Sequence, residues 1–415
     1  MSKNIIIIGG GIIGLCSAYY LQKEGHKVSI IDQSNLDAGA SYVNAGYLSP
    51  SHIIPLSAPG VMKKGIKWMF DKSSPLYIKP RLDVDFLKWT WAFNKSCTAK
   101  HVNKTIPVIK AIALLSQELY SNIKQDEDFK FHYEKKGLLM LCQSDKMLEE
   151  EIEVVHIAKQ NGLDASEISL EDLKKLEPNV AFNVKGATYF KCDSHMTPHE
   201  FMEDMKAYLK ISGVTFFTNE TANDMVLEKG HITSITTNKQ SHKADEFVLA
   251  AGSWSALLSK KLDLQLLLQA GKGYRINSEQ ETGITIPAIL AEAKVAITPM
   301  NGFTRFAGTM EIAGINHNIN RVRVDAIANA VTNYYPEIAL NQEEKNDAEA
   351  GLRPVSPDGL PYIGKSKKCF NLTMATGHAM MGWGMGSATG KLVSEVISNK
   401  KPSLDLQPFH PDRTF

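Results

Sequence analysis

The first 32 residues narrow what this chain can fold into more than any other stretch. Lys3–Ile8 is a β-branched run of strand length, the pattern of a strand buried on both faces. Gly9-Gly10-Gly11-Ile12-Ile13-Gly14 follows at once and places Gly9, Gly11 and Gly14 in a Gly-x-Gly-x-x-Gly turn. A helix-compatible stretch from Leu15 to Glu24 ends at Gly25, and Lys27–Ile31 is a second strand closed by Asp32. Gly9 permits the tight turn, Gly11 lets backbone approach a pyrophosphate, and Gly14 lets helix and strand pack closely. The helix N-terminus offers N–H groups and a positive dipole end to phosphate. Asp32 lies 18 residues beyond Gly14, where it can accept hydrogen bonds from a ribose 2′-hydroxyl. An acid there disfavours a 2′-phosphate. Alone, the glycine motif is weak; with strand, helix, second strand and acid in order it reads as a site for FAD or NAD.

Two other readings of this segment fail. Ile5–Leu21 carries no charge, but it is 17 residues long with four glycines, short for a transmembrane helix of about 20 apolar residues. No small-residue cleavage site follows it, so a signal peptide is not expected. The five cysteines, Cys16, Cys97, Cys142, Cys192 and Cys369, are never closer than 45 positions, so neither a zinc motif nor a disulfide framework is expected. A reduced, cytoplasmic setting follows. With 46 basic and 45 acidic side chains, the chain is no global nucleic-acid binder. That balance hides an asymmetry: residues 61–110 hold eleven basic and three acidic side chains, leaving the other 365 residues at −7. An anionic partner for that patch is expected.

Later motifs repeat the strand–turn–helix theme. Val248–Gly252 reads as a strand ending in Ala250-Ala251-Gly252, at a sheet edge where ligands bind. Leu372–Ala375 is a strand, Gly377-His378 opens a glycine-rich turn with Gly382-Trp383-Gly384, and a helix is expected from about Ser387 to Ile397. That helix aims a second N-terminus at a ligand.

Taken together, these stretches resemble the D-amino-acid oxidase superfamily of FAD enzymes, above all its bacterial D-amino-acid dehydrogenase branch. The likeness spans nearly the whole chain. It includes Asn44-Ala45-Gly46 with Ser49-Pro50, Ala58-Pro59-Gly60-Val61, Ile66-Lys67-Trp68-Met69-Phe70, Gly271-Lys272-Gly273-Tyr274, Gly351-Leu352-Arg353-Pro354 and Pro357-Asp358-Gly359. The resemblance implies a mixed α/β fold: a Rossmann-like FAD-binding domain with a discontinuous substrate domain on a mixed, largely antiparallel sheet. The FAD-binding parts are expected at 1–60, 146–255 and 345–415, and the substrate domain at 61–145 and 256–344. Candidate cofactor contacts are Gly9, Gly11, Ile12, Ile13, Gly14, Asp32 and Gln33 in the first unit. Ser41, Asn44, Ala45 and Gly46 follow, then Ala251, Gly252, Gly351, Gly377, Gly382, Trp383 and Gly384.

The implied reaction is oxidation of a D-amino acid by hydride transfer to FAD, giving a 2-oxo acid and ammonia, with electrons passed to a quinone or another non-oxygen acceptor. Relatives oxidising sarcosine, glycine or hydroxyproline share every motif, and a non-catalytic dinucleotide sensor is the reading from another class. Arg353 and His378 are the candidate active-site residues. The planar fork of Arg353 binds a carboxylate in two places, and His378 is expected beside the cofactor without acting as a base. Where sarcosine-oxidase relatives bond the flavin through a cysteine, this chain has Ala379-Met380-Met381, so FAD is expected noncovalent. The tyrosine pair of the oxidases has no counterpart in Ile289–Ile297.

Three further readings are simpler. Asp358 is a turn residue rather than a catalyst. Cys192, Asp193, His195 and His199 do not make a metal site, because Thr197-Pro198-His199-Glu200 reads as a capping box opening a helix, with His199 solvated. Lys100–Lys124 is one long helix despite Pro107. Finally, Val61, Met62, Gly65, Ile66, Met69 and Phe70 line one helical face, with Lys63, Lys64 and Lys67 on the other. That pattern suits an anionic membrane surface, and peripheral attachment to the cytoplasmic face of the inner membrane is expected.

Overall fold

The computed structural model describes residues 1–62 and 74–415. Its first sheet grows outward from the N-terminal strand, Asn4–Ile8, whose four isoleucines are all buried. In spatial order its strands are 215–217, 27–31, 4–8, 246–249, 372–376 and 362–365. All pair in parallel except the last, which runs antiparallel to its neighbour. Parallel pairing buries both faces, which is why these strands read as continuous apolar runs. One face is covered by helices Ile12–Lys23, Ala99–Asp126, Pro198–Ile211 and Gly382–Ile397, meeting in a core that includes Ile7, Leu15, Ile112, Met205 and Leu392. The other is covered by a three-stranded sheet, 222–228, 231–237 and 241–242, through Met225, Ile232 and Ile235.

The second large sheet has nine strands. Its main order is 349–355, 269–278, 303–312, 295–300, 288–290, 138–142, 186–190 and 165–168, with 76–78 beside 303–312. Antiparallel pairs dominate. Parallel pairing appears between 288–290 and 138–142 and between 303–312 and 76–78. Helix Arg321–Tyr334 closes one face with Val324, Ile327 and Val331.

The expected boundary at residue 146 does not follow the sheets. Strands 165–168 and 186–190 extend the nine-stranded sheet, and helix Ala99–Asp126 packs on helix Gly382–Ile397 through Ile112, Tyr120 and Ile123. Strand pairing over long separations leaves no local mark, so sequence order misplaced these pieces.

Two local expectations also need correction. The last helix begins at Gly382, so Gly382, Gly384 and Gly386 form its first turns rather than a turn before it. Helix Pro198–Ile211 has Pro198 at its first position but lacks the capping box. Thr197 Oγ1 accepts from Asn301 N at 3.0 Å, and Glu200 accepts from His132 N at 2.6 Å. Tertiary partners outcompete the local cap. The 28-residue helix Ala99–Asp126 does run through Pro107. From Lys63 on, the expected interface helix lies outside the described residues. Among the described residues no helix is long and apolar enough to cross a membrane.

Helices Ile12–Lys23 and Gly382–Ile397 cross at glycine. A Cβ on Gly390 would lie 2.4 Å from the Cys16 carbonyl carbon, and one on Gly386 would lie 2.9 Å from Ile12 Cγ1. Alanine at Gly390 gains about 1 kcal/mol of helix propensity, but it presses on backbone that cannot move aside. Overpacking costs of about 1–3 kcal/mol prevail, so Gly390→Ala should lower the melting temperature. An unchanged melting temperature would mean that the two helices separate freely here.

Candidate active site

A cavity of about 1140 Å³ lies where the carboxyl ends of the first sheet face the nine-stranded sheet. It exceeds the roughly 300–1,000 Å³ of ordinary small-molecule pockets. Gly9, Gly11, Ile12, Ile13, Asp32, Gln33, Ser41, Asn44 and Ala45 line it. Ala251, Gly252, Gly351, Arg353, His378, Gly382, Trp383 and Gly384 line it as well. Gly14, Gly46 and Gly377 are not on its wall. They shape it from behind: a Cβ on Gly14 would lie 1.9 Å from Gly9 O, and one on Gly46 would lie 2.1 Å from Met196 O.

At the first-sheet end the glycine loop is already braced. Gly9 has φ +106°, which only glycine adopts without strain. Asp32 Oδ2 accepts from Gly10 N at 2.7 Å, while its Oδ1 accepts from Ser34 N and Oγ at 2.8 and 2.6 Å. Ser41 Oγ accepts from Ile12 N at 2.9 Å, satisfying one of the open donors at the helix start.

The C-terminal turn supplies unmet polar groups. His378 is buried and its Nε2 pairs with Thr389 Oγ1 at 2.9 Å, while Nδ1 has no partner. Burial pushes its pKa down to about 3, so the ring is neutral across any working range. Trp383 Nε1 and Thr309 Oγ1 are likewise buried without partners on the cavity wall. Buried polar atoms are rarely left unpaired, so three on one wall mark where a ligand's polar groups belong.

Arg353 is seated by the sheet itself. Strand 303–312 is bulged, so that Thr309 and Met310 face the single residue Gly273 on strand 269–278. The bulge turns the Thr309 carbonyl toward Arg353, whose Nη1 donates to it at 2.9 Å. It also holds Thr309 at φ +58°, a strained conformation for a β-branched residue. Gly273 clears the space: a Cβ there would lie 2.1 Å from Arg353 Nη1. Among the described residues no carboxylate pairs with Arg353. Burial lowers its pKa to about 10, so it stays charged.

The other arginines are committed. Arg305 donates from Nη1 to the carbonyls of Tyr42 and Asn44 at 2.8 and 2.6 Å and from Nε to Asn277, fixing the loop that carries Ser41 to Ala45. Arg275 pairs with Glu349 at 2.8 Å. Asp358 holds the C-terminus through two contacts with Arg413, at 2.7 and 2.9 Å. Of Cys192, Asp193, His195 and His199, Cys192 Sγ and Asp193 Oδ1 are in contact at 3.4 Å, while His199 is half-buried against Phe303. His195 instead lies beside His132 and Glu134, where Lys136 already neutralises Glu134 at 2.9 Å.

Sequence reasoning missed Tyr47, His52 and Thr309, all on the wall. The Tyr47 hydroxyl sits 2.8 Å from the carbonyls of Ala288 and Ile297, so it braces the sheet rather than replacing the oxidases' tyrosines. A glycine inside a strand, as at Gly273, was the one available sign of the bulge.

Residues 4–396 match the FAD dependent oxidoreductase family, DAO. The chain belongs to this family. As a DAO-family enzyme it is 30% identical over 403 residues to a D-amino acid dehydrogenase of Vibrio vulnificus (strain CMCP6), covering 95% of this chain and 96% of the relative. Its fold matches glycine oxidase from Geobacillus kaustophilus with a TM-score of 0.80 at 19% identity, over 100% of this chain and 99% of that one. It matches L-proline dehydrogenase from P. horikoshii with a TM-score of 0.75 at 18% identity, over 99% and 97%. The DAO-family cofactor is FAD, and the wall fits it. Gly11 leaves backbone exposed at a helix start, and unpaired polar atoms wait near the second glycine-rich helix.

Because Gly273 makes room for Arg353, Gly273→Ala should displace the guanidinium while leaving FAD bound. Steady-state kinetics on the enzyme's substrate should show kcat/KM at least tenfold lower with unchanged flavin content. Unaltered kcat/KM would show that the seat of Arg353 is irrelevant to turnover.

Proposed function

We propose that this oxidoreductase oxidises D-amino acids to 2-oxo acids and ammonia. The observation that carries the reading is Arg353, a charged guanidinium in the cavity with no carboxylate partner among the described residues. A charge set into a cavity wall without a partner gains from one, and a substrate carboxylate offers the half-buried Arg353 two charge-assisted hydrogen bonds. The name of the Vibrio relative supports the D configuration and an acceptor other than oxygen.

FAD, when bound, supplies a hydride acceptor. The chain's own residues do the rest. Arg353 fixes the carboxylate, and Thr309 and Gly273 fix Arg353. His378, neutral and buried, keeps added charge out of the turn beside the cofactor. The N–H groups of Gly11 and Ile13 would hold the pyrophosphate and Asp32 a ribose hydroxyl. The loop Ser41 to Gly46, with Gly351, would close over the cofactor, as would Gln33, Ala251 and Gly252. The turn Gly377 to Gly384 would flank its ring end. Ala379-Met380-Met381 offers no thiol, which supports noncovalent binding. No acid–base dyad is required: once the amine is neutral, its lone pair drives hydride loss, and the imine hydrolyses in water. We propose a quinone as the acceptor, reached by peripheral contact of the basic 61–72 segment with the cytoplasmic face of the membrane.

Anaerobic mixing tests the reading. D-Amino acids should bleach the flavin, L-amino acids should not, and a soluble quinone should restore the colour faster than oxygen. Glycine, sarcosine and proline in the same panel separate the sister activities. Arg353→Leu should retain FAD and lose about 3 kcal/mol in kcat/KM, roughly a hundredfold. Bleaching by no D-amino acid, or full activity in Arg353→Leu, would overturn it.

A further inference from the structure

We infer that His52 reads the substrate's side chain: its Nε2 accepts a hydrogen bond from a hydroxyl or amide, so the enzyme prefers D-amino acids that carry such a donor over their methyl isosteres. This rests on the amino-acid reading above and adds the side-chain class.

His52 lines the same cavity as Arg353, and about 35% of its side chain is exposed there. The surrounding wall is apolar. Ile53 and Ile54, the residues that follow it, pack in one cluster with Met140, Val154, Phe190 and Ile289. Two charged groups share this part of the wall, Lys294 and Glu151, and they face each other at 3.9 Å, which leaves neither as a lone recognition charge. A polar ring set into such a wall is an expensive choice unless a ligand uses it.

Hydrogen bonding behind the ring decides which nitrogen is left as an acceptor. Asp193 is buried and holds Ser51 twice: Ser51 N donates to Oδ1 at 3.1 Å, and Ser51 Oγ donates to Oδ2 at 2.6 Å. The Ser51 hydroxyl has one proton, and the carboxylate takes it. Ser51 Oγ therefore meets His52 Nδ1, 3.2 Å away, as an acceptor, and Nδ1 carries the ring proton. Nε2 is left with its lone pair. Among the described residues Nε2 has no hydrogen-bond partner. Burial and Lys294 hold the ring pKa down to about 4, so the imidazole is neutral and the tautomer is the only variable. Asp193, raised to about 6 by burial, is ionised at neutral pH and keeps Ser51 as a donor toward it.

An acceptor built into an apolar wall discriminates by what it leaves unpaired. A substrate hydroxyl or amide satisfies Nε2, whereas a methyl of the same size strips its water and gives nothing back.

The test uses pairs matched in shape, D-threonine with D-valine and D-asparagine with D-leucine, on the flavin-loaded enzyme. In wild type the donor-bearing member should have the higher kcat/KM in at least one pair. In His52→Leu that ratio should fall about tenfold or more, and His52→Gln, which keeps an acceptor, should recover most of it. Equal kcat/KM within both wild-type pairs overturns the inference, and so does a ratio unchanged by His52→Leu. Bleaching by D-valine or D-leucine in the same runs keeps the broader reading intact in that case. Failure of every amino acid to bleach the flavin removes both.

Discussion

A guanidinium set into a cavity wall without a carboxylate is costly, and much of this structure serves to hold one. Arg353 sits over Gly273 because no side chain stands there, and against the Thr309 carbonyl because a bulge turns that carbonyl toward it. Thr309 accepts a left-handed backbone to make this contact. Strain of about 1–3 kcal/mol persists only where surrounding structure over-determines it, and here three paired strands do so. Filling the space at Gly273 or straightening the bulge at Thr309 lets the charge find water or another partner.

The rest of the fold sets two glycine-rich helix starts around the same cavity. The six-stranded sheet ends its strands at the cavity, and two helices enter it through glycine-rich starts, one at Gly11 and one at Gly382. They can converge because they cross at glycine, with Gly390 against the Cys16 backbone. Arg305 ties the two halves together by clasping Tyr42 and Asn44 from the nine-stranded sheet. Residues of both sheets thereby line one cavity.

Legibility in the sequence followed the range of the interactions. Asn4 to Asp32 could be read because strand, turn, helix and strand are contiguous and each glycine has a local reason. The seat of Arg353 could not. Its residue was visible in Gly351-Leu352-Arg353-Pro354, but Thr309 and Gly273 join it only through strand register. His52 was passed over for the same reason, since its orienting acid, Asp193, is 141 positions away. The capping box at Thr197 failed in the opposite direction: a correct local pattern was overruled by Asn301 and His132, partners that no local pattern reveals.

We propose that the cavity holds a prepared site for a carboxylate at Arg353. Titrating the flavin spectrum of the FAD-loaded protein with a small unreactive carboxylate, in wild type and in Arg353→Leu, measures that site without turnover. Saturable perturbation in wild type, at least tenfold weaker in the variant, is the predicted result. Equal affinity in both proteins would mean that Arg353 is not the carboxylate site.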